Sequence, residues 1–237
     1  MAFQVAAAYV ANDGGTAVTS GTFNVASGDL IVVVLNCGEL GQGAEGITHT
    51  LSDNQTPDLT YTQIAQRDDT DGLDGGVAAY YHVAAAAITG LTITDTVSGA
   101  ASPESPAIKV YIYPAGEFDS VTQVGAQVEG DWTIDGQQTL DITPLTSGVG
   151  VLVCTDWNQT GTPTSADTTF TGFDTAFAIS GGSGFVALTA SVAKNADMDS
   201  GGTPSGNYLW FELRKAAGGA STFLKDIIGH GVVPWKR

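Results

Sequence analysis

Two long stretches of this chain carry the same succession of strand-like and turn-like segments, so the fold chosen by the first must also suit the second. Thr22-Phe23-Asn24-Val25, Ser27-Gly28 and the apolar run Leu30 to Leu35 are matched by Thr139-Leu140-Asp141-Ile142, Ser147-Gly148 and the run Val149 to Val153. The tetrapeptides lie 117 positions apart and the Ser-Gly pairs 120 apart. Upstream, residues 6–13 parallel 124–131, and downstream Thr60 to Ile64 parallels Thr169 to Phe173. Each copy closes on a similar segment, residues 108–113 and 208–213. A repeat of this length means two copies of a whole domain rather than a short solenoid unit. Cys37 and Cys154 fall 117 apart and so occupy matching places. They are expected as small buried free thiols; a disulfide between them would require pseudo-twofold packing of the copies.

The copies read as β throughout. Thr, Val, Ser, Gly and Asp dominate, and apolar alternation over Leu91-Thr92-Ile93-Thr94 and Ile108 to Ile112 gives one buried face per strand. The unbroken run Leu30 to Leu35 predicts a strand covered on both faces. Strands are expected near 3–10, 22–25, 29–36, 47–52, 59–66, 76–84, 90–97 and 107–113, then near 121–128, 138–143, 148–155, 168–173, 175–180, 184–192 and 207–213. Many short strands with regular turn signals predict an all-β chain of two tandem duplicated, jelly-roll-like sandwich modules, 1–117 and 118–216, followed by a linker and tail, 217–237. Val32 and Val34 are expected to point into one core where Val151 and Val153 point into the other.

Charge limits the partners. The 237 residues carry 25 acids and 8 bases, a formal charge of −17. Nucleic-acid binding needs Lys and Arg against phosphate, so it is not expected. Charged residues make up only 14%, against the roughly 25% usual in soluble domains, leaving a neutral polar surface suited to packing on neighbours. No apolar run approaches the roughly 18 residues of a membrane span, and residues 1–5 show no secretory signal. Four of the bases, Lys215, Lys225, Lys236 and Arg237, sit in the last 23 residues against one acid, Asp226. Together with Phe223, Leu224, Ile227, Ile228 and Trp235, this makes the end of the chain read as a docking peptide on a small-residue linker.

No segment spells a catalytic motif. His49, His82 and His230 lie outside any Gly-x-Ser-x-Gly or His-Glu-x-x-His arrangement, and no enzyme and no cofactor are expected. His49 and His82 are expected to be packed or loop-bound. Asp69, Asp71 and Asp74 could offer oxygens to Ca²⁺, but the late bidentate acid of an EF-hand is missing, Tyr80 standing at that position. The segment reads instead as an acidic hairpin loop. Trp132, Trp157 and Tyr208 are the residues that could stack on a sugar ring, Trp157 being placed just past a strand end; the competing reading is a Trp closing the end of a sandwich core. The Gly181-Gly182-Ser183-Gly184 run is read as a break between two strands.

Val25-Ala26-Ser27-Gly28-Asp29-Leu30 through Val34, with Tyr80-Tyr81-His82-Val83-Ala84 and Leu91-Thr92-Ile93-Thr94, resembles a pattern of structural proteins from tailed bacteriophages. The likeness covers about the first 115 residues and is looser in the second copy, where Val149 replaces Asp29. It implies jelly-roll-like modules displayed on heads or tails without enzymatic activity. The expected function is a virion structural protein, most of all a head decoration or cement subunit, with a receptor- or glycan-binding module of a tail fibre as the alternative. Its partners would be the major capsid protein or tail proteins and further copies of itself. It would be assembled in the host cytoplasm and displayed on the outside of the particle.

Overall fold

In the first half, strand after strand pairs with its counterpart from the opposite end, as if one long ribbon had been folded back on itself. The computed structural model describes residues 3–12, 14–39, 46–68, 75–99, 103–118, 128–133, 137–138, 141–144, 147–159, 169–171, 179–195, 198–199 and 202–214. The strands are β1 (Gln4–Ala11), β2 (Ala17–Thr19), β3 (Phe23–Val25), β4 (Leu30–Glu39), β5 (Ile47–Asp53), β6 (Thr62–Asp68), β7 (Gly76–Val83), β8 (Ile88–Leu91), β9 (Ile93–Gly99) and β10 (Pro103–Tyr113). β1 pairs with β10, β2 with β9, β3 with β8 and β4 with β7, all antiparallel. Rolled up, this ribbon gives a five-stranded sheet, β1-β10-β4-β7-β6, faced by the smaller sheets β2-β9-β5 and β3-β8. This is jelly-roll wrapping.

The second half has β11 (Val128–Thr133), β12 (Gln137–Gln138), β13 (Asp141–Ile142), β14 (Gly148–Gln159), β15 (Thr169–Thr171), β16 (Ile179–Leu188), β17 (Lys194–Asn195), β18 (Met198–Asp199) and β19 (Gly202–Arg214). Its pairs nest in the same way: β11 with β19, β12 with β18, β13 with β17 and β14 with β16. The large sheet runs β11-β19-β14-β16-β15, the order of the first sheet strand for strand. The step from one half to the other lies between Tyr113 and Val128, on either side of the expected boundary at 117.

β4 shows why its sequence is apolar without a break. Ile31, Val33 and Leu35 face the smaller sheets and pack with Val18, Phe23, Leu91, Ile93, Ile108 and Val110. Leu30, Val32 and Val34 face the other way, and what covers them is the second large sheet. Val149, Val151, Val153, Leu209, Phe211 and Leu213 join Leu30, Val32, Val34, Tyr111 and Tyr113 in one cluster. Val32 and Val34 therefore share a core with Val151 and Val153 rather than filling separate ones. Alternation gives each sheet an apolar outer face, and the nearest large apolar face is the corresponding sheet of the other half. The far side of the second sheet is also closed to solvent, with Leu152, Cys154, Tyr208, Trp210 and Glu212 buried.

Several strand contacts between the two sheets recur from each side. β4 lies against β14 and β16, β7 against β14 and β19, and β10 against β16. Matching strands by their place in the sheets, β4 to β16 and β7 to β14 are the same contact taken from each side, as are β10 to β16 and β7 to β19. β19 also lies against β6, so the two sheets meet partly, not wholly, by equivalent strands.

The ladders also fix which residues correspond. Val32 lies opposite Tyr111 and Tyr81, and Val151 opposite Phe211 and Phe185. With 108–113 matched to 208–213, Val32 corresponds to Val151, Tyr81 to Phe185 and Ala79 to Ser183. Cys154, opposite Tyr208, then stands where Leu35, opposite Ile108, stands in the first sheet. The cysteines are thus two positions out of equivalence, because loop-length differences shift the sequence offset along the chain. Both are buried, and neither forms a disulfide.

A second correction concerns β16, which runs unbroken through Gly181 to Gly184 where two strands with a glycine break were expected. Gly182, Ser183 and Gly184 are buried. Ser183 faces the first sheet, where the Tyr111 hydroxyl lies 2.7 Å from its Oγ, while Gly182 and Gly184, opposite Cys154 and Leu152, lie on the other face of the strand.

Candidate functional site

The closest approach to a catalytic constellation sits inside the first sandwich. β5 and β9 pair so that His49 lies opposite Val97 and Leu51 opposite Asp95, which puts His49 and Asp95 in diagonal positions on the face turned to β4. His49 Nδ1 is 2.8 Å from Asp95 Oδ2, with neither side chain exposed. Burial disfavours the imidazolium, but the Asp95 carboxylate and the adjacent Cys37 sulfur outweigh it, and the pKa of the ring is raised to about 10. Its partners thus favour the protonated ring against the effect of burial. Asp95 Oδ1 has no hydrogen-bond partner among the described residues, and the Cys37 sulfur is the group beside the ring other than Asp95.

Cys37, His49 and Asp95 follow the order of nucleophile, base and orienting acid. Cys37 and Asp95 have no exposed surface, and Cys37 packs with Ile47 and Val97. The arrangement ties the small sheet to β4. Among the described residues no group of three His, Cys, Asp or Glu side chains has the disposition of a metal site. His82 is loop-bound, its Nδ1 lying 2.9 Å from the Thr60 carbonyl and its ring beside Tyr61.

The acidic loop residues Asp69, Asp71 and Asp74 lie outside the described residues. Their neighbour Asp68 holds two strands together, its carboxylate accepting from the Ile47 amide at 3.2 Å and from Gln66 Nε2 at 2.8 Å, which pins β5 to β6. Phe223, Leu224, Ile227, Ile228, Trp235, Lys236 and Arg237 likewise lie outside the described residues. Trp157 falls within β14 rather than past a strand end, because that strand extends to Gln159. The ladders bring the backbones of Trp132 and Trp157 to one end of the second sheet, on either side of β19, opposite Gly206 and Ser205. Tyr208, the third aromatic considered for sugar stacking, is buried.

Two further polar groups lie in the seam between the large sheets. Lys109 is buried with its ammonium 5.2 Å from the centre of the Tyr111 ring, and burial lowers its pKa to about 8. Asn207 of β19 donates from Nδ2 to the Gly75 carbonyl at 2.6 Å, bridging the halves. A lysine in an otherwise apolar strand face gave no sequence signal of burial, since lysine is almost always exposed.

The outer face of the small sheet is uniform. Thr19, Thr48, Thr50, Thr96 and Ser98 are exposed there, and Thr19 Oγ1 lies 2.8 Å from Thr94 Oγ1. It is an uncharged hydroxyl surface on a chain of net charge −17.

No protein-family model, curated protein or solved structure matches this chain.

Proposed function

We propose that this chain is a non-enzymatic structural protein of a tailed-phage virion, an exterior head decoration or cement subunit held by protein–protein contacts. The observation that carries this reading is the seam: two jelly rolls share one core and form a single layered block. The three residues with a catalytic order are enclosed within it. A block of this kind suits load and display better than turnover, which needs an open site and moving parts. The neutral hydroxyl face and the low content of charged side chains favour packing among neighbours. The resemblance in residues 25–34 and 80–94 points the same way. The tail, residues 219–237, is the proposed anchor, its apolar and basic side chains docking on an acidic shell or on a second copy.

The test is attachment. Purified chain added to particles that lack it should bind at a fixed stoichiometry per capsid, visible by electron microscopy. A version without residues 219–237 should fold with the same melting transition and fail to attach. Full occupancy by the truncated chain would remove the anchoring role. Binding to a glycan array, lost in Trp157→Ala, with no binding to capsids would replace the decoration reading with that of a receptor-binding module.

A further inference from the structure

The pleat of the second large sheet separates its two end tryptophans. Asn207 bonds to Gly75 of the first module, and Leu209 and Phe211 along the same strand lie in the shared core, so the odd-numbered positions of β19 are on the face turned to the first sheet. Ser205 pairs with Trp157 on one side and Thr133 on the other, which puts all three on that face. Asp131 pairs with Asn207 and joins them one row inward. Trp132 pairs with Gly206 and belongs to the opposite face. Along β14, Val151 and Val153 give way to Thr155 and Trp157 at the level where Leu209 gives way to Asn207 on β19. The apolar seam therefore ends in a polar row that holds Trp157, with Ile179 opposite it on β16. The ladder between β14 and β19 shifts just beyond Trp157, a bulge of the kind that re-aims side chains at sheet ends.

We propose that this end of the second sheet binds a neutral oligosaccharide, with Trp157 as the stacking residue and Ser205, Thr133, Asp131 and Asn207 as the hydroxyl-binding set. Cross-strand neighbours in such a sheet lie about 5 Å apart and diagonal ones about 7–8 Å, a spacing that one sugar ring bridges. A sugar offers an apolar C–H face to an aromatic ring and a rim of hydroxyls that both donate and accept. Ser, Thr and Asn meet either need, and Asp accepts. No Lys or Arg stands at these positions and the chain carries −17, which disfavours an anionic ligand. Asn207 is fully buried and its Oδ1 has no hydrogen-bond partner among the described residues. A buried acceptor is rarely left unmet, and a sugar hydroxyl supplies the donor. The proposal goes beyond the virion role and does not depend on it.

The experiment titrates the intact chain with neutral tetrasaccharides of glucose, galactose, mannose and N-acetylglucosamine, followed by calorimetry and tryptophan fluorescence. At least one should bind with a Kd in the micromolar to millimolar range and change the fluorescence. Trp157→Ala should weaken that binding about tenfold to a hundredfold, and Trp157→Phe should keep most of it. Asp131→Ala should weaken it about three- to tenfold. Trp132→Ala, on the opposite face, should leave the Kd where it was. A loss there equal to that of Trp157→Ala would overturn the face assignment and the proposal with it. Should Trp157→Ala unfold the chain, Trp157→Leu keeps an apolar side chain without a stacking surface; it should melt as the parent does and lose the saccharide. Unfolding of the leucine variant as well would assign Trp157 to the core and overturn the proposal. So would binding that survives Trp157→Leu, or no binding of any of the tetrasaccharides at millimolar concentration. Free saccharide and purified chain are the only components, so a negative result here leaves attachment to particles untouched, and failure to attach leaves this site untouched.

Discussion

His49 holds Asp95 across 46 residues of sequence, Nδ1 to Oδ2 at 2.8 Å, with both side chains sealed between the sheets of the first module. Removing one member of such a pair leaves the other as an unpaired buried charge, a loss of about 3–5 kcal/mol. His49→Gln and Asp95→Asn should each show it in urea unfolding. His49→Leu combined with Asp95→Leu should be far milder than either leucine variant alone.

The same pair sets a pH dependence. The pKa of His49 is raised from 6.5 to about 10 on folding, so its contribution is complete below pH 6.5 and is lost as pH rises towards 10. Urea midpoints measured from pH 6 to pH 10 should fall for the unmodified chain and fall less for the double leucine variant. Equal slopes for the two would dismiss the charged pair.

Lys109 works in the opposite direction. Its pKa is lowered from 10.5 to about 8, so the folded state bears the cost of the charge below pH 8 and is relieved of it as pH rises towards 10.5. Lys109→Met should stabilise the chain at pH 7, by about 2–3 kcal/mol, and the advantage should vanish by pH 10.5. Above pH 10 the tyrosines add a separate loss, because burial raises the pKa values of Tyr61, Tyr80 and Tyr113, so the comparison is made variant against parent at each pH.

A shared core predicts shared melting. Phe211 belongs to the second module but packs in the cluster that holds Val32 and Tyr111. Phe211→Ala should cost about 3–5 kcal/mol and lower a single calorimetric transition covering both modules. Two separate transitions, with only one displaced, would show that the modules fold independently.

Gly150 lies beneath the Trp210 ring, and a Cβ there would collide with the indole. Gly150→Ala should therefore displace a fully buried tryptophan, costing about 1–3 kcal/mol and shifting its fluorescence, with little change in β content by circular dichroism.

Much of this fold could be read from residue pattern. Leu30 to Leu35 announced a strand covered on both faces, and the alternation in 91–94 and 108–112 placed Ile93, Ile108 and Val110 inward, where they are; in 108–112, though, the other face is buried too, with Lys109 and Tyr111. The identity of the covering layer could not be read the same way. Period-two alternation says which side of a strand is buried but names no partner, so the common core of Val32 and Val151 became visible only once the sheets were paired. The glycines of β16 misled because glycine inside a buried strand leaves the same local signature as a turn. His49 and Asp95 were hidden because their meeting depends on the register of β5 against β9. Each residue alone sits in an ordinary Thr-rich strand.

Because the first strand of the first module lies beside its last, with Gln4 paired to Ile112, the chain leaves that module next to where it began. A unit wound this way can be spliced in front of another at the level of the gene without any strand having to cross the finished fold. Growth by whole-module addition is open to such a chain, while insertion into the middle of the ribbon would have to be accommodated by every nested pair around it.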